Sequence, residues 1–199
     1  MTLSPVILLS ISYVIGSIPF GLLLGTSLVG VDVRKHGSGN IGATNVLRTL
    51  GFPFGFVTFL LDASKGLAVV LLGRALGAND WVIAASGLAV VAGHNWSIFL
   101  GFRGGKGIAT TFGFIFAIMP PVGLILAAVW LGLVCAFRYA SLGSMVGVAA
   151  TPIAAYFMGY PSAYVIVCAI LAVLAVVRHR SNIERLLSGT ENKFALRAK

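Results

Sequence analysis

The stretch that decides the fold runs from Pro5 to Val29 and reads PVILLSISYVIGSIPFGLLLGTSLV, without one charged residue. A membrane-spanning helix needs about 20 consecutive, mostly apolar residues, and this stretch is long enough. Six further apolar stretches follow, at 54–76, 81–100, 108–119, 122–137, 144–158 and 160–177. The chain is 58% hydrophobic and only 10% charged, whereas about 25% of residues are charged in a soluble domain. We therefore predict an all-α polytopic membrane protein with seven transmembrane helices in a single domain, residues 1–199.

The positive charges support this topology. If the chain crosses the membrane seven times, nearly all lysines and arginines fall on one face, and only Arg74 lies toward the other. Cytoplasmic loops are rich in lysine and arginine, so we expect the N-terminus outside and the C-terminus in the cytoplasm. The net charge of +9 is then a topogenic signal, and we expect no nucleic-acid partner. The stretch at 108–119 is short for a span, and we expect it to be tilted or to begin inside the preceding loop.

Two glycine-rich loops lie on the predicted cytoplasmic face, HGSGNIGATN at 36–45 and GFRGGKG at 101–107. Glycine lets successive N–H groups turn toward one point, and Ser38, Arg48 and Lys106 add a hydroxyl and positive charge. We interpret both loops as phosphate-binding. The alternatives are a first loop that only needs glycine turns and a second that only sets topology. Neither is a nucleotide motif, because no strand precedes the first and Gly107 stands where a Walker loop has Ser or Thr.

Two charges lie inside the second apolar stretch. Asp62 and Lys65 are three residues apart and share a helix face, so we expect a structural ion pair that orients the loops. A direct substrate contact is the alternative. His94 stands at the end of the third stretch, where we expect a hydrogen-bonded structural residue. The histidines and cysteines show no metal-ligand spacing, so we predict no metal and no cofactor.

The segment RHRSNIER at 178–185 closes the last span. Ser181 and Glu184 match a capping box and predict a short C-terminal interfacial helix. We expect Gly189 to end that helix. His179 and Asn182 then project from the helix entrance into the site, while His179 with Glu184 is an alternative catalytic dyad. Two serines in the YASLGS segment at 139–144 are candidate donors to a phosphate or, alternatively, caps of the sixth helix; they are Ser141 and Ser144.

Taken together, the blocks at 37–48, 62–66, 93–110, 138–144 and 179–184 closely resemble the bacterial acyl-phosphate:glycerol-3-phosphate acyltransferase family (PlsY type). The resemblance covers nearly the whole chain in order. It implies a seven-span enzyme of the bacterial inner membrane that moves a fatty acyl group from acyl phosphate to the C1 hydroxyl of glycerol 3-phosphate. The products are lysophosphatidic acid and inorganic phosphate, in phospholipid synthesis. The implied partners are both substrates and the bilayer, and we expect a monomer without a covalent acyl-enzyme.

The resemblance also implies roles for individual residues. Catalytic roles fall to Ser38, His179 and Asn182. Substrate binding falls to residues of the loops and their flanks, namely Gly37, Gly39, Asn40, Asn45, Arg48, Gly104, Gly105, Lys106, Ser141 and Ser144. Structural roles fall to Asp62, Lys65, His94 and Glu184, the last as a partner of nearby arginines.

Some alternatives stay open at this stage. The general base is either His179 or the substrate phosphate. An anion transporter is the main rival function, although the clustering of polar residues at one face disfavours it, and a structural scaffold is the other. The preferred acyl chain depends on a groove in three dimensions.

Overall fold

The computed structural model describes residues 4–194, and within this range the secondary structure is entirely helical. Two positive residues of the predicted cytoplasmic face, Arg197 and Lys199, lie outside the described residues. The α-helices, in chain order, are α1 Pro5–Ser17, α2 Phe20–Val29, α3 Ala43–Leu50, α4 Phe52–Ala75, α5 Asp80–Asn95, α6 Ile108–Ile118, α7 Pro120–Phe137, α8 Ala140–Phe157, α9 Ser162–Arg178 and α10 Arg180–Leu187. Two short 3-10 segments cover Val33–Lys35 and Ile98–Leu100.

All seven predicted apolar stretches are helical, but they are not equally long. Five helical segments within residues 4–194 are long and apolar enough to cross a bilayer: Pro5–Val29, Phe52–Ala75, Asp80–Leu100, Pro120–Phe137 and Ala140–Phe157. The pair α9 and α10 makes a sixth if it counts as one span bent by 58°. Helix α6 has 11 residues, which is about 16 Å against the ~30 Å of a hydrocarbon core. The all-α membrane fold is thus confirmed, whereas the count of seven spans stays a prediction.

The first span is broken between α1 and α2, where the sequence predicts one continuous helix. Pro19 has no N–H to continue the helix and forces the preceding Ile18 out of the helical conformation; Ile18 has ψ 117°. Carbonyl groups at the break are satisfied from elsewhere. The Lys65 ammonium donates to the carbonyls of Gly16 and Ile18, and the Ser97 hydroxyl donates to that of Ser17. The break is therefore stabilised by side chains from α4 and from the segment after α5.

Glycines bring the helices of the bundle close together. Helices α4 and α6 pack along each other, and a Cβ built on Gly113 would lie 1.9 Å from the Ala63 carbonyl oxygen. Helices α1 and α5 meet in the same way, where a Cβ on Gly16 would lie 2.0 Å from the Val90 carbonyl oxygen. Small residues are the usual means of close helix packing inside membranes.

Several local predictions are corrected at the polar end of the bundle. Residues 43–50, which include the end of the loop predicted at 36–45, form the short helix α3, with Val46 and Leu47 buried. Helix α10 exists as predicted, but the capping box is wrong: α10 begins at Arg180 directly after α9, so Ser181 lies inside it. The cap alternative for the two serines is also wrong, because α8 begins at Ala140 and both lie within it.

Candidate active site

A cavity of about 1080 Å³ lies where the two glycine-rich loops, the start of α8 and the C-terminal tail meet. Its polar end is lined by residues from all four of these segments: Ser38, Asn40, Asn45, Arg48, Lys106, Ser141, Ser144, His179, Asn182, Arg185 and Glu191. Its apolar part runs between α4 and α6 on one side and α7 on the other, and is lined by Phe52, Phe56, Phe59, Phe112, Leu126, Ala127, Trp130, Leu131 and Val134. The cavity thus joins a cation-rich pocket to an apolar groove.

The first glycine-rich loop is organised by a single side chain. Asn45, which is only 2% exposed, accepts a hydrogen bond from the Ser38 N–H at 2.7 Å. Its amide nitrogen donates to the carbonyls of Val33, His36 and Asn40 at 2.9, 3.2 and 2.7 Å. Asn45 therefore shapes the loop with its own polar atoms, and the Ser38 N–H is not free for a phosphate.

The start of α3 contributes to the same side of the cavity. Gly42, Ala43 and Thr44 line it at the first turn of the helix, where N–H groups lack partners within the helix and favour an anion. The Asn40 carboxamide accepts from the Gly42 N–H at 2.9 Å and closes the turn into α3. Ser38 and this first turn form one candidate phosphate subsite.

The second glycine-rich loop is held by side chains from other helices. A Cβ on Gly104 would lie 2.1 Å from the His94 carbonyl oxygen, and one on Gly105 would lie 2.1 Å from the His94 ring nitrogen Nε2. The Gly105 N–H donates to the His94 carbonyl at 2.9 Å. Arg178 Nη2 donates to the carbonyls of Gly104 and Gly105 at 3.3 and 2.7 Å. The loop is pinned between α5 and α9, and Lys106 follows directly.

A polar network continues from Lys106. Its ammonium donates to the Asn182 side-chain oxygen, and the Asn182 amide nitrogen donates to Glu191 Oε1 at 2.6 Å. The Ser141 hydroxyl donates to the same oxygen at 2.8 Å, and Arg185 Nε donates to Glu191 Oε2 at 2.7 Å. Glu191 is thus the centre of the site's polar contacts, a role that we did not predict from the sequence.

The path of the tail explains the position of Glu191. The ring of Phe194 packs edge-on against Trp130, with centroids 5.8 Å apart, and the Phe194 N–H donates to the Arg138 carbonyl at 2.6 Å. Gly189, with φ 71°, ends α10 as predicted and turns the chain back over the cavity. In the sequence, the only indication that Glu191 reaches the site is an acidic residue close to an aromatic one in a basic tail.

Burial sets the protonation of the site. Burial, reinforced by the nearby Lys106 charge, lowers the pKa of His179 to about 4, so its imidazole is neutral. Among the neighbouring positive charges, Lys106 lowers the pKa of His179 more than Arg178 does. Burial also lowers the pKa of Lys106 to about 8, although Glu191 opposes this. Burial alone would raise the pKa of Glu191, but hydrogen bonds from Asn182, Ser141 and Arg185 bring it below its usual value.

The tautomer of His179 follows from its contacts. Its Nδ1 lies 2.7 Å from the Ala175 carbonyl oxygen. A carbonyl can only accept, so the neutral ring carries its proton on Nδ1, and Nε2 is left as an acceptor. His179 lines the cavity and thus offers an acceptor, not a charge, to a substrate.

Of the four residues predicted to be structural, three meet in the interior and the fourth is exposed. Asp62 and Lys65 form a buried ion pair at 2.7 Å, and His94 Nδ1 lies 3.6 Å from the same Asp62 oxygen. Asp62 and His94 also line the cavity. Glu184 is exposed on α10, and within residues 4–194 the carboxylate that pairs with an arginine of α10 is Glu191 instead.

Two of the predicted loop glycines lie on the opposite side of their loops. Gly39 and Gly104 line a shallower pocket of about 720 Å³ together with Arg34, Lys35 and Arg103. Gly37 packs against Asn45, since a Cβ there would lie 2.3 Å from the carboxamide oxygen. These glycines therefore shape the loops rather than face the main cavity.

The fold and the site define an integral membrane protein with a cation-rich pocket that opens into an apolar groove. The family model for glycerol-3-phosphate acyltransferase matches residues 6–189. The glycerol-3-phosphate acyltransferase of Rubrobacter xylanophilus is 49% identical over 193 residues, covering 97% of this chain and 96% of that protein. The crystal structure of PlsY (YgiH), an integral membrane glycerol 3-phosphate acyltransferase, in its glycerol 3-phosphate form has a TM-score of 0.91 at 41% identity over 96% of both chains.

The lysophosphatidic acid form of the same protein has a TM-score of 0.89 and covers 97% of this chain and 96% of that one. This chain therefore belongs to the glycerol-3-phosphate acyltransferase family, and it is an integral membrane acyltransferase. The resemblance seen in the sequence blocks is confirmed.

Proposed function

We propose that this protein transfers a fatty acyl group from acyl phosphate to the C1 hydroxyl of glycerol 3-phosphate. The products are lysophosphatidic acid and inorganic phosphate, and neither metal nor cofactor takes part. The observation that carries the proposal is the single cavity in which a cation-rich polar end continues into an apolar groove. The related PlsY structures in glycerol 3-phosphate and lysophosphatidic acid forms support it.

The polar end offers two phosphate subsites. Ser38 and the first turn of α3 hold the phosphate of the acyl donor and stabilise it as it leaves. Lys106, Ser144, His179 and Asn182 position glycerol 3-phosphate, with its phosphate near the ammonium. Arg48 lies between the two subsites: its Cδ would be 3.5 Å from a Cβ on Gly37, and its charge interacts with those of Arg185 and Glu191.

The chemistry needs little activation, because acyl phosphate is a mixed anhydride. The C1 oxygen forms a bond to the acyl carbon, and the bond from that carbon to the phosphate oxygen breaks, so that phosphate leaves with the electron pair. The hydroxyl proton passes to a phosphate oxygen. A phosphate monoester has its second pKa at about 6, which makes it a better proton acceptor than His179, whose pKa is about 4. His179 Nε2 therefore orients the hydroxyl, and no acyl-enzyme forms.

The same geometry supports a proposed arrangement in the membrane. The two glycine-rich loops, the turn at Arg138 between α7 and α8, and the tail meet at one end of the bundle, and most cations lie there. Positive loops face the cytoplasm, so the active site faces the cytoplasm, with the N-terminus outside. The protein acts as a single-domain monomer in the bacterial inner membrane.

The test is acyl transfer by the purified protein in lipid, with palmitoyl phosphate and labelled glycerol 3-phosphate and without metal or coenzyme A. We expect lysophosphatidic acid and phosphate in equal amounts. Lys106→Ala and Ser38→Ala each lose at least about 100-fold in activity, since each removes a transition-state contact. Arg74→Gln, at the opposite end of α4, is the matched control and keeps full activity. Turnover with palmitoyl coenzyme A but not with palmitoyl phosphate contradicts the proposal.

A further inference from the structure

We infer that the closed end of the groove, where Phe116 of α6 packs on Gly123 of α7, limits the length of the acyl chain that the site accepts. The small side chain of Ala127 on the groove wall leaves room for the end of that chain. The inference rests on the proposed function and specifies which acyl phosphates the site accepts.

The groove is a wedge between two consecutive helices. Helix α6 ends at Ile118 and α7 begins at Pro120, so a single residue joins them at the end far from the polar pocket. At the other end, Ile108 of α6 and Cys135 of α7 both line the cavity. The two helices are therefore close at the Pro120 turn and apart at the polar end, and the apolar cavity fills the space between them.

Aromatic rings form one wall of the wedge. Phe59 and Phe112 have ring centroids 5.6 Å apart, and Phe52 stacks on Phe56 at 5.7 Å. The opposite wall is one face of α7, where Ala127, Trp130, Leu131 and Val134 line the cavity with the spacing of a helix face. Both walls are apolar and continuous with the acyl-phosphate subsite, so the occupant that fits them is the acyl chain of that substrate.

The closed end of the wedge is set by a glycine. A Cβ on Gly123 would lie 2.8 Å from Phe116 Cα and 2.9 Å from its ring carbon Cδ2, so α6 and α7 touch there. Phe116 also stacks on Phe112 with centroids 5.7 Å apart, and Phe112 is the α6 residue of the cavity wall. The contact between Phe116 and Gly123 thus lies one turn beyond Phe112, and it leaves no space between α6 and α7 at this point.

The length of the groove suits one chain. Cys135 and Gly123 are 12 positions apart on α7, which is about 18 Å at a rise of ~1.5 Å per residue. One leaflet of a bilayer core is about 15 Å deep, so a chain reaching from the polar end to Phe116 is as long as a membrane lipid tail. Ala127 lies one helical turn above Gly123, and its small side chain leaves that turn free for the end of the chain.

The experiment measures kcat/KM for a series of acyl phosphates from decanoyl to stearoyl, in lipid, for the unsubstituted protein and three variants. Ala127→Leu fills the last turn of the groove, so we expect its ratio of palmitoyl to decanoyl phosphate to fall at least about tenfold. Phe116→Ala opens the closed end and raises the ratio of stearoyl to palmitoyl phosphate. Ile125→Ala is the control, because that side chain is 37% exposed on the face of α7 opposite Ala127 and does not line the cavity, so we expect an unchanged profile.

The outcomes distinguish failure of this inference from failure of the proposed function. Opposite shifts in the two groove variants support the inference. Active variants that keep the unsubstituted profile overturn it and leave the proposed function intact. If the unsubstituted protein uses no acyl phosphate of any length, the proposed function fails and this inference with it. Phe116→Leu, with a smaller change of volume, gives the same direction as Phe116→Ala if the alanine variant does not fold.

Discussion

The two glycine-rich loops have similar composition but are built for different reasons. In the 36–42 loop, Gly37 and Gly39 take left-handed backbone conformations, with φ 59° and 70°, which other residues rarely adopt. In the 101–107 loop, Gly101 and Gly107 are also left-handed, but the central Gly104 and Gly105 are needed because His94 leaves no room for a side chain. A glycine can therefore be required either by a backbone conformation or by a close contact, and the residue type alone does not distinguish the two.

The difference also decides what each loop depends on. The first loop is held by Asn45, which belongs to the helix that follows it. Its shape therefore depends on residues that are near it in the sequence. The second depends on His94 of α5 and on Arg178 at the end of α9. A substitution in the first loop should therefore affect only one phosphate subsite, whereas a substitution in the second loop should disturb the whole polar end of the cavity.

The largest effect is expected from Gly105→Ala. The new Cβ would lie 2.1 Å from His94 Nε2, so the loop must shift and carry Lys106 with it. A displacement of about 1 Å at a reacting site costs on the order of 100-fold in rate, and we expect at least that loss in kcat/KM for both substrates. Gly132→Ala is the matched control, because nothing lies within 4 Å of its added Cβ. Nearly full activity of Gly105→Ala would mean that this loop does not set the position of Lys106.

A smaller and more local effect is expected from Asn45→Ala. The substitution removes the acceptor for the Ser38 N–H and the donor to three loop carbonyls. Each buried group left without a partner costs about 1–3 kcal/mol. We expect the KM for acyl phosphate to rise about tenfold while the KM for glycerol 3-phosphate stays within a factor of about two.

Steady-state kinetics with each substrate varied in turn provides the check. Thr49→Ala, in the same helix and with a hydroxyl that has no partner among the described residues, serves as the control for Asn45→Ala. Equal changes in both KM values would show that the first loop is not the independent unit described here.

The smallest expected effect is a pH dependence that arises from Lys106 of the second loop alone. Burial lowers the pKa of Lys106 to about 8, and its positive form binds phosphate. The charge is present below pH 8 and is lost as the pH rises through this value, so kcat/KM for glycerol 3-phosphate should fall to about half at pH 8. Lys106→Arg keeps its charge throughout this range, and its profile should stay flat. The same fall in the arginine variant would assign the titration to another group.

Much of the site could be predicted from the sequence because its residues stand beside glycines and at the ends of apolar stretches. Ser38, Arg48, Lys106, His179 and Asn182 were expected to converge, and all line one cavity. Their segments share one face of the membrane if the apolar stretches alternate direction through a bilayer, and chain order alone predicts this. Whether each of them binds substrate stays a prediction.

The parts that could not be predicted depend on contacts between distant segments. Glu191 acquires its position from the Phe194 ring on Trp130 and from the turn at Gly189, and no periodicity in the tail signals this. The role of Arg178 depends on the carbonyls of Gly104 and Gly105 lying beside the end of α9. The apparent capping box failed because α10 continues almost directly from α9, which left Ser181 no free helix end to cap.

The contact between Lys65 and the break in the first span also bears on how the chain is assembled. An ammonium group in the middle of a lone transmembrane helix costs about 2.5–3.5 kcal/mol on insertion. Lys65, 2% exposed, has its counter-charge Asp62 on the same helix, but its carbonyl acceptors belong to Gly16 and Ile18 of the preceding one. The first two hydrophobic segments together supply the counter-charge and both carbonyl acceptors of this ammonium group, so we expect them to enter the bilayer as a helical hairpin rather than as single helices.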